Sequence, residues 1–183
     1  PMPLVVTVSG LHGSGKSTYA KALAEEFRLR YVSAGQLFRD IAKDKGVSME
    51  ELIRITADDP EIDRLIDERT KREAEKGDVI LDGQLAGWMT KERAGLKIFL
   101  TAPEDVRIRR IAERDSVDFE RARAQTVLRE KAERERYKKY YDIDIRDISI
   151  YDLIMDTSLH PLEESIKILK NIISDYIGRQ RRR

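Results

Sequence analysis

The stretch Gly10-Leu11-His12-Gly13-Ser14-Gly15-Lys16-Ser17 has the pattern G-x-x-x-x-G-K-[ST] and follows directly on the apolar run Leu4 to Val8. Three glycines let successive backbone N–H groups turn inward on phosphate oxygens, and the helix that follows offers its positive end to the same anion. Lys16 is placed to reach terminal phosphates as a point charge, and is expected to face solvent without ligand, while the Ser17 hydroxyl is placed to bind a magnesium ion bridging the phosphates. The pattern therefore predicts MgATP or MgGTP. With its flanks the nucleotide-binding stretch comprises Ser9, Gly10, Leu11, His12, Gly13, Ser14, Gly15, Lys16, Ser17 and Thr18. His12 falls at a variable position of the pattern, and a backbone-spacing role is expected of it rather than chemistry. Tyr19 is expected to pack.

A loop of this kind works only between a buried strand and a helix. Val5, Val6 and Val8 suit a strand covered on both faces, while Ala20, Leu23, Ala24 and Phe27 recur at helical spacing. Arg30 to Val32 reads as a second strand and Ser33-Ala34-Gly35 as a turn. Gln36 to Lys45 reads as a helix stopped at Gly46, and Ser48-Met49-Glu50-Glu51 is a capping box opening another. Asp59-Pro60 opens a third helix, which Gly77 ends. Three helices between two strands exceed what a simple crossover needs, so the segment is expected to bind something. Asp78 to Asp82 is a buried-strand pattern ending in an acid. Ligands of open α/β sheets bind beyond the carboxyl ends of the strands, so Asp82 is a candidate to hold magnesium through water.

Leu96 to Leu100 reads as a fourth strand, followed by a helix on which Arg110 and Arg114 share a face. Asp118 to Tyr141 is long, charged and poor in large apolar residues, which predicts a helical projection rather than core. Arg129, Glu133 and Arg136 lie on one face of it, at i, i+4 and i+7. Leu153 to Met155 reads as a fifth strand. Leu162, Ile166, Leu169 and Ile173 mark a closing helix that ends in the basic tail Arg179 to Arg183.

The chain has 183 residues, 38% of them charged, yet Lys plus Arg number 35 against 34 for Asp plus Glu. Net charge gives no ground for nucleic acid or an anionic membrane. Cysteine is absent, so disulfides and thiolate metal sites are excluded. No stretch is long and apolar enough to span a bilayer and no signal-peptide pattern occurs, so a soluble, cytoplasmic protein is expected. One Asn, no Cys and abundant Glu, Lys and Arg form the profile expected of a protein working at high temperature.

Taken together, these residues resemble the nucleoside monophosphate kinases, and most closely the short cytidylate kinases of archaeal type, over nearly the whole chain. Ser33-Ala34-Gly35-Gln36-Leu37-Phe38-Arg39 is similar to the family's acceptor-binding S-x-G-x-x-x-R, and Asp82-Gly83 to its strand-end Asp-Gly. The resemblance implies that Ser33, Gly35 and Gly83 shape the acceptor pocket and that Arg39 holds the monophosphate. It implies that Arg110 lies against the donor base, that Arg114 nears phosphate, and that Arg129, Glu133 and Arg136 close on both substrates. Lys16, Arg114, Arg129 and Arg136 are then the catalytic set. Asp156-Thr157-Ser158-Leu159 is similar to a stretch of bacterial cytidylate kinases. Those enzymes, however, continue Asp-Gly with Arg and Asp where this chain has Gln84 and Leu85, so two acceptor-binding roles do not carry over. Trp88 is a candidate wall of the acceptor pocket or a packing residue.

The expected fold is an α/β P-loop NTPase fold. It has a five-stranded parallel sheet flanked by helices (core 1–35, 77–113 and 143–183), an acceptor-binding helical insertion at 36–76 and a lid at 114–142. The expected reaction is MgATP plus CMP or dCMP giving ADP plus the diphosphate. Small nucleotides are the expected partners and a monomer the expected state. Two alternatives stand beside it: a kinase for AMP, UMP or another small acceptor, and an ATPase switch or RNA-assembly factor. A guanine switch is disfavoured because the one Asn, Asn171, is followed by Ile172 and builds no N-K-x-D motif.

Overall fold

The computed structural model describes residues 3–182; Arg183, the last of the basic tail, lies outside them. Five strands, β1 (Val5–Gly10), β2 (Arg30–Ser33), β3 (Val79–Asp82), β4 (Leu96–Thr101) and β5 (Leu153–Asp156), form one sheet in the order β2-β3-β1-β4-β5. Every pairing is parallel. Parallel strands need crossovers, and the crossovers place helices on both faces.

The valines of β1 show why. Val6 and Val8 turn to one face, with Ile80, Ile98 and Leu100, and are covered by Tyr19, Ala20 and Leu23 of α1 (Lys16–Phe27) and by Leu169 and Ile173 of α8 (Leu162–Gln180). Val5, Val79 and Leu81 turn to the other, under Ala74 of α4 (Glu61–Lys76) and Ala86 of a short helix α5 (Ala86–Met89). The closing helix is shorter in its apolar stripe than its spacing suggests. Leu169 and Ile173 are buried and Ile166 packs partly against them, but Leu162, in the first turn of α8, is exposed.

Between β2 and β3 the chain makes α2 (Ala34–Lys45), α3 (Met49–Asp58) and α4, which share a small core of Ala42, Leu52, Ile62 and Ile66. Ser33-Ala34-Gly35, expected as a turn, is instead the start of α2. The Ser33 hydroxyl accepts from the Gln36 N–H at 3.2 Å, which makes it the N-cap. Ser48 caps α3 in the same way, on Glu51. Asp59 accepts from the Glu61 N–H and so opens α4.

Two further helices follow β4, α6 (Glu104–Asp115) and the 23-residue α7 (Phe119–Tyr141), capped by Asp118 on Arg121. Contrary to the expectation of a projection, α7 is docked along its length. Ala122 packs with Ile108 and Ile111 of α6, and Glu133 and Tyr137 are buried. Its outer face is exposed from end to end and carries Val127 and Leu128.

The end of α4 is pinned to the edge strand by Glu73. This buried carboxylate takes a bond from Arg30 and lies 2.9 Å from Lys76 Nζ and 3.1 Å from Arg69 Nε. Burial alone would push its pKa up, but Lys76 and Arg30 override that and hold it at about 2. A carboxylate depressed in the folded state contributes stability above its unfolded value and loses it as pH falls toward the folded one. Glu73→Gln is therefore expected to melt at lower temperature than wild type at pH 7. The gap should narrow steadily below pH 4.5, as thermal melts of both proteins from pH 7 to pH 3 would show; a gap independent of pH would contradict it.

Candidate functional site

The glycine-rich loop joins β1 to α1 at the carboxyl edge of the sheet, wedged between β4 and α6. A Cβ on Gly10 would stand 2.3 Å from the Leu100 carbonyl oxygen, and one on Gly13, whose φ is +78°, 2.5 Å from that of Arg107. Neither position admits a side chain. The first turn of α1 carries no acidic residue and no side chain caps it, so its free N–H groups keep their positive field for a ligand.

The loop's carbonyls are all engaged. Arg107 donates to the His12 carbonyl at 2.8 Å, Arg110 to that of Gly13 at 3.1 Å, and the Thr157 hydroxyl to that of Ser14 at 2.8 Å. Arg110 also donates to Thr157, which ties the loop to the end of β5. Ser9 fixes the neighbouring strand end by donating to the Gly83 carbonyl. Lys16, expected to face solvent in the free protein, turns back instead and donates to the carbonyls of Gly10 at 2.7 Å and Leu11 at 3.2 Å. Burial pushes its pKa down, against the pull of Asp82 and Glu133.

Ser17 and Asp82, the candidate magnesium ligands, meet: the Ser17 hydroxyl donates to Asp82 Oδ2 at 3.0 Å. Tyr31, to which the sequence pattern gives no role, donates to the same oxygen at 2.6 Å, and burial together with Asp82 pushes its phenol up to about 12. Among the described residues no cluster of three His, Cys, Asp or Glu could hold a metal ion unaided. A hydroxyl beside one carboxylate is the hard oxygen set that suits magnesium when phosphates supply further ligands. Thr18 is exposed beside them at the start of α1.

A cleft of about 580 Å³ runs from Ser17 past Tyr31 and Ser33 to Arg39, Arg69 and Glu73. Arg39 is exposed and donates to Gln36, and a Cβ on Gly35 would lie 3.6 Å from its guanidinium. Gly83 approaches Ala34 so closely that a Cβ there would stand 2.9 Å from the alanine's own. Trp88 does not line this cleft. It packs against the cluster of Leu85, Tyr137 and Ile145 and borders a separate cavity of about 370 Å³.

Helix α7 carries three of the expected residues, and the structure brings two of them onto other elements. Glu133 is buried over the loop. The His12 Nε2 lies 3.0 and 2.9 Å from its two oxygens, Gln84 Nε2 donates at 2.9 Å and Arg129 Nε at 3.0 Å. Burial favours the neutral acid, but His12, Arg129 and Gln84 together hold Glu133 at about 2. His12 is thus a contact residue, not the spacer expected; its own pKa is lowered by burial, with Glu133 opposing. Arg136 donates to Asp63 of α4 at 2.6 Å, while Tyr141 donates to Asp67. Burial, reinforced by Asp63, pushes Asp67 up to about 6. Arg114 is not brought to the loop. It is exposed and pairs with Asp115 at the end of α6, a turn beyond the point where α6 touches the loop.

Arg107, Gln84, Tyr31 and the pair Asp63 and Asp67 are polar residues of the site that sequence reasoning missed. Arg107 stands three residues before Arg110 in the helix already singled out. Asp63 and Asp67, four apart, are legible as one face of α4, but nothing in the chain announces what that face meets.

Residues 5–159 match the cytidylate kinase-like family. The chain is 46% identical to the cytidylate kinase of Staphylothermus marinus over 174 residues, covering 95% of this chain and 98% of that one. It is 47% identical to the cytidylate kinase of Pyrococcus horikoshii, covering 93% and 88%. Among solved structures, the shikimate kinase of Bacteroides thetaiotaomicron superposes with a TM-score of 0.65 at 15% identity over 94% of this chain and 99% of that one, a likeness of fold. With a phosphate loop, a parallel sheet in the order β2-β3-β1-β4-β5 and these relatives over nearly its whole length, the chain belongs to the cytidylate kinase-like family.

Proposed function

We propose that this protein transfers the γ-phosphoryl group of MgATP to CMP or dCMP, giving ADP and the diphosphate, as a soluble cytoplasmic monomer. The observation that carries the reading is the junction of two sites at one point. The phosphate loop ends at Ser17, the cleft with Arg39 begins there, and Asp82 lies between them. Relatives named cytidylate kinases supply the identity of the acceptor.

The acceptor phosphate is already an anion, so no general base is needed, and the work falls to alignment and charge. Magnesium, when bound through Ser17 and a water on Asp82, would offset charge on the transferring group. Tyr31 keeps the Asp82 carboxylate aimed along the strand end. Lys16 has to leave the Gly10 and Leu11 carbonyls to meet a γ-phosphate, a short swing from a preformed position. Arg39 holds the acceptor phosphate at the cleft's edge, with Ser33 and Gly35 beneath. The segment 36–76 acts as the acceptor-binding insertion and 114–142 as the lid, whose Arg129 and Arg136 close on the phosphates and exclude water once both substrates are in place, with Glu133 turned to the acceptor. Arg110, bonded to the loop and to Thr157, is placed against the donor nucleotide. Arg114, surface-paired here, takes a part only if the lid's movement carries it inward.

Steady-state kinetics with ATP and each ribo- and deoxyribonucleoside monophosphate test the reading. CMP or dCMP should show the highest kcat/KM; a higher value for AMP or UMP would reassign the acceptor. Lys16→Ala is expected to lower kcat by about 10²–10³-fold, the scale of losing one charge-stabilising donor. Arg39→Ala should raise the acceptor KM by about tenfold or more while leaving the ATP KM within about twofold, since charge-assisted hydrogen bonds are worth about 1.5–3 kcal/mol each.

The lid assignment is separable from the ion pair that Arg136 makes with Asp63. Arg136→Ala leaves a buried carboxylate unpaired, so it lowers the melting temperature whatever else it does. Asp63→Asn removes the pair but keeps the arginine. Arg136→Ala should reduce kcat by about tenfold or more and Asp63→Asn should retain it; equal losses in both would mark Arg136 as structural only.

A further inference from the structure

Residue 12 is gripped by α7 twice. Its carbonyl accepts from Arg107, which pairs with Glu130 of α7 at 2.6 Å, and its imidazole meets Glu133 one turn further along the same helix. The imidazole Nε2 lies within hydrogen-bond distance of both carboxylate oxygens and 3.0 Å from the Gln84 Nε2, so the three side chains meet at one point. Gln84, from the turn after β3, completes the contact by donating to the same carboxylate. One buried anion is therefore held at the mouth of the phosphate loop by two elements besides its own helix, the loop and the turn after β3.

That placement conflicts with the loop's task. Glu133 is ionised at any working pH. An incoming triphosphate needs the same cationic and N–H-bearing mouth, and two anions in a water-poor space repel each other strongly. Two other groups stand in arrangements that a ligand would change. Lys16 is spent on the carbonyls of Gly10 and Leu11. The Gln84 Oε1 is buried with no partner, the mark of a contact that satisfies the carboxylate at the amide's expense.

We infer that His12, Gln84 and Glu133 form an autoinhibitory clasp that holds the lid helix against the phosphate loop, so that ATP binds only after the Glu133 carboxylate is displaced. The inference rests on the reading of the loop as the ATP site. His12 and Gln84 act here as positioning residues, because each touches the lid carboxylate and neither needs to touch a reacting atom. The apparent affinity for ATP is then the intrinsic affinity reduced by the fraction of molecules with the clasp open. The chain carries its own reporter, since its single tryptophan, Trp88, packs against the cluster that includes Tyr137 of the same helix.

The test is titration of the full-length protein with a non-hydrolysable MgATP analogue at pH 8, where the imidazole is neutral, together with acrylamide quenching of Trp88 in the ligand-free state. Glu133→Gln and His12→Ala should each tighten analogue binding by about ten- to a hundredfold, the range that loss of a charge-assisted hydrogen bond sets through the open fraction. Each should also raise Trp88 quenching before analogue is added. The double variant should gain no more than the better single one, because both changes open one contact. Unchanged or weaker analogue binding in both single variants would overturn the clasp, whatever the quenching shows, since a contact that serves the closed catalytic state must weaken binding when cut. Should Glu133→Gln fail to melt cooperatively, His12→Ala, on a different element, decides the question alone by the same binding shift. Acceptor chemistry does not enter these measurements, so a different preferred monophosphate leaves the result standing. Failure of every form to bind the analogue would remove the donor assignment and the clasp with it.

Discussion

A set of backbone N–H groups has to be left without partners where β1 runs into α1, and the surrounding structure exists to make that tolerable. Unmet donors at a buried helix start are costly, and a loop that could relax would turn some of them outward. Relaxation is blocked from the carbonyl side. From Gly10 to Ser14 every carbonyl accepts a bond, from Lys16, Arg107, Arg110 or Thr157, and those of His12, Gly13 and Ser14 stay held when Lys16 turns to phosphate. The glycines permit the path, but the outer ring of donors fixes the direction in which the loop faces. Its members come from sequence positions 16, 107, 110 and 157, which explains why the site requires β4, α6 and β5 to be in place and not just the local motif.

The same reasoning changes the meaning of the charged helix α7. A run of Arg, Glu and Lys on a surface helix ordinarily contributes little, because exposed pairs gain little over solvated ions. Here the ions are distributed by destination. Glu130 and Glu133 go to the loop through Arg107 and His12, while Arg136 and Tyr141 go to Asp63 and Asp67 on α4. Buried pairs of this kind lose much of their Coulomb gain to desolvation, so they are poor sources of net stability. They are good sources of geometry, because a displaced partner leaves an uncompensated charge. A helix docked by such pairs as well as by apolar contacts at Ala122 and Tyr137 can be shifted by a ligand that brings charges of its own, as nucleotides do.

Legibility from sequence follows how local each signal is. The strand–loop–helix unit is readable because valine pattern, glycine spacing and the Lys16-Ser17 pair all lie within one short stretch. The five strands and most helices are readable from caps such as Ser48 and Asp118 and from buried apolar runs. The start of α2 is misread because Ser33-Ala34-Gly35 carries turn residues, and a serine N-cap looks the same in one dimension. The docking of α7 is missed because Glu133 is as polar as any solvated residue, and only the fold brings His12 and Gln84, which are 121 and 49 residues away, to its carboxylate. Lys16 is misplaced for a related reason. Its pattern states what it does with phosphate bound, not where a buried ammonium goes when carbonyls are the nearest acceptors.

One element links the two substrate regions. Helix α4 is anchored at its end by Glu73 to Arg30 on the edge strand, and about two to three turns earlier it presents Asp67 and Asp63 to Tyr141 and Arg136 of α7. Arg69 and Glu73 of the same helix line the cleft that holds Arg39. A ligand in that cleft therefore presses on the helix whose other face holds the lid. Tilting α4 about its Glu73 anchor would lengthen the Arg136 and Tyr141 contacts together, since both partners sit on one rigid helix four residues apart. On the proposed placement of the substrates, an acceptor in the cleft acts on α7 at Arg136 and Tyr141, while ATP acts about one turn earlier through His12 and Glu133. Coupling between them then needs no separate pathway: one stiff helix carries both contacts, and moving one changes the strain at the other.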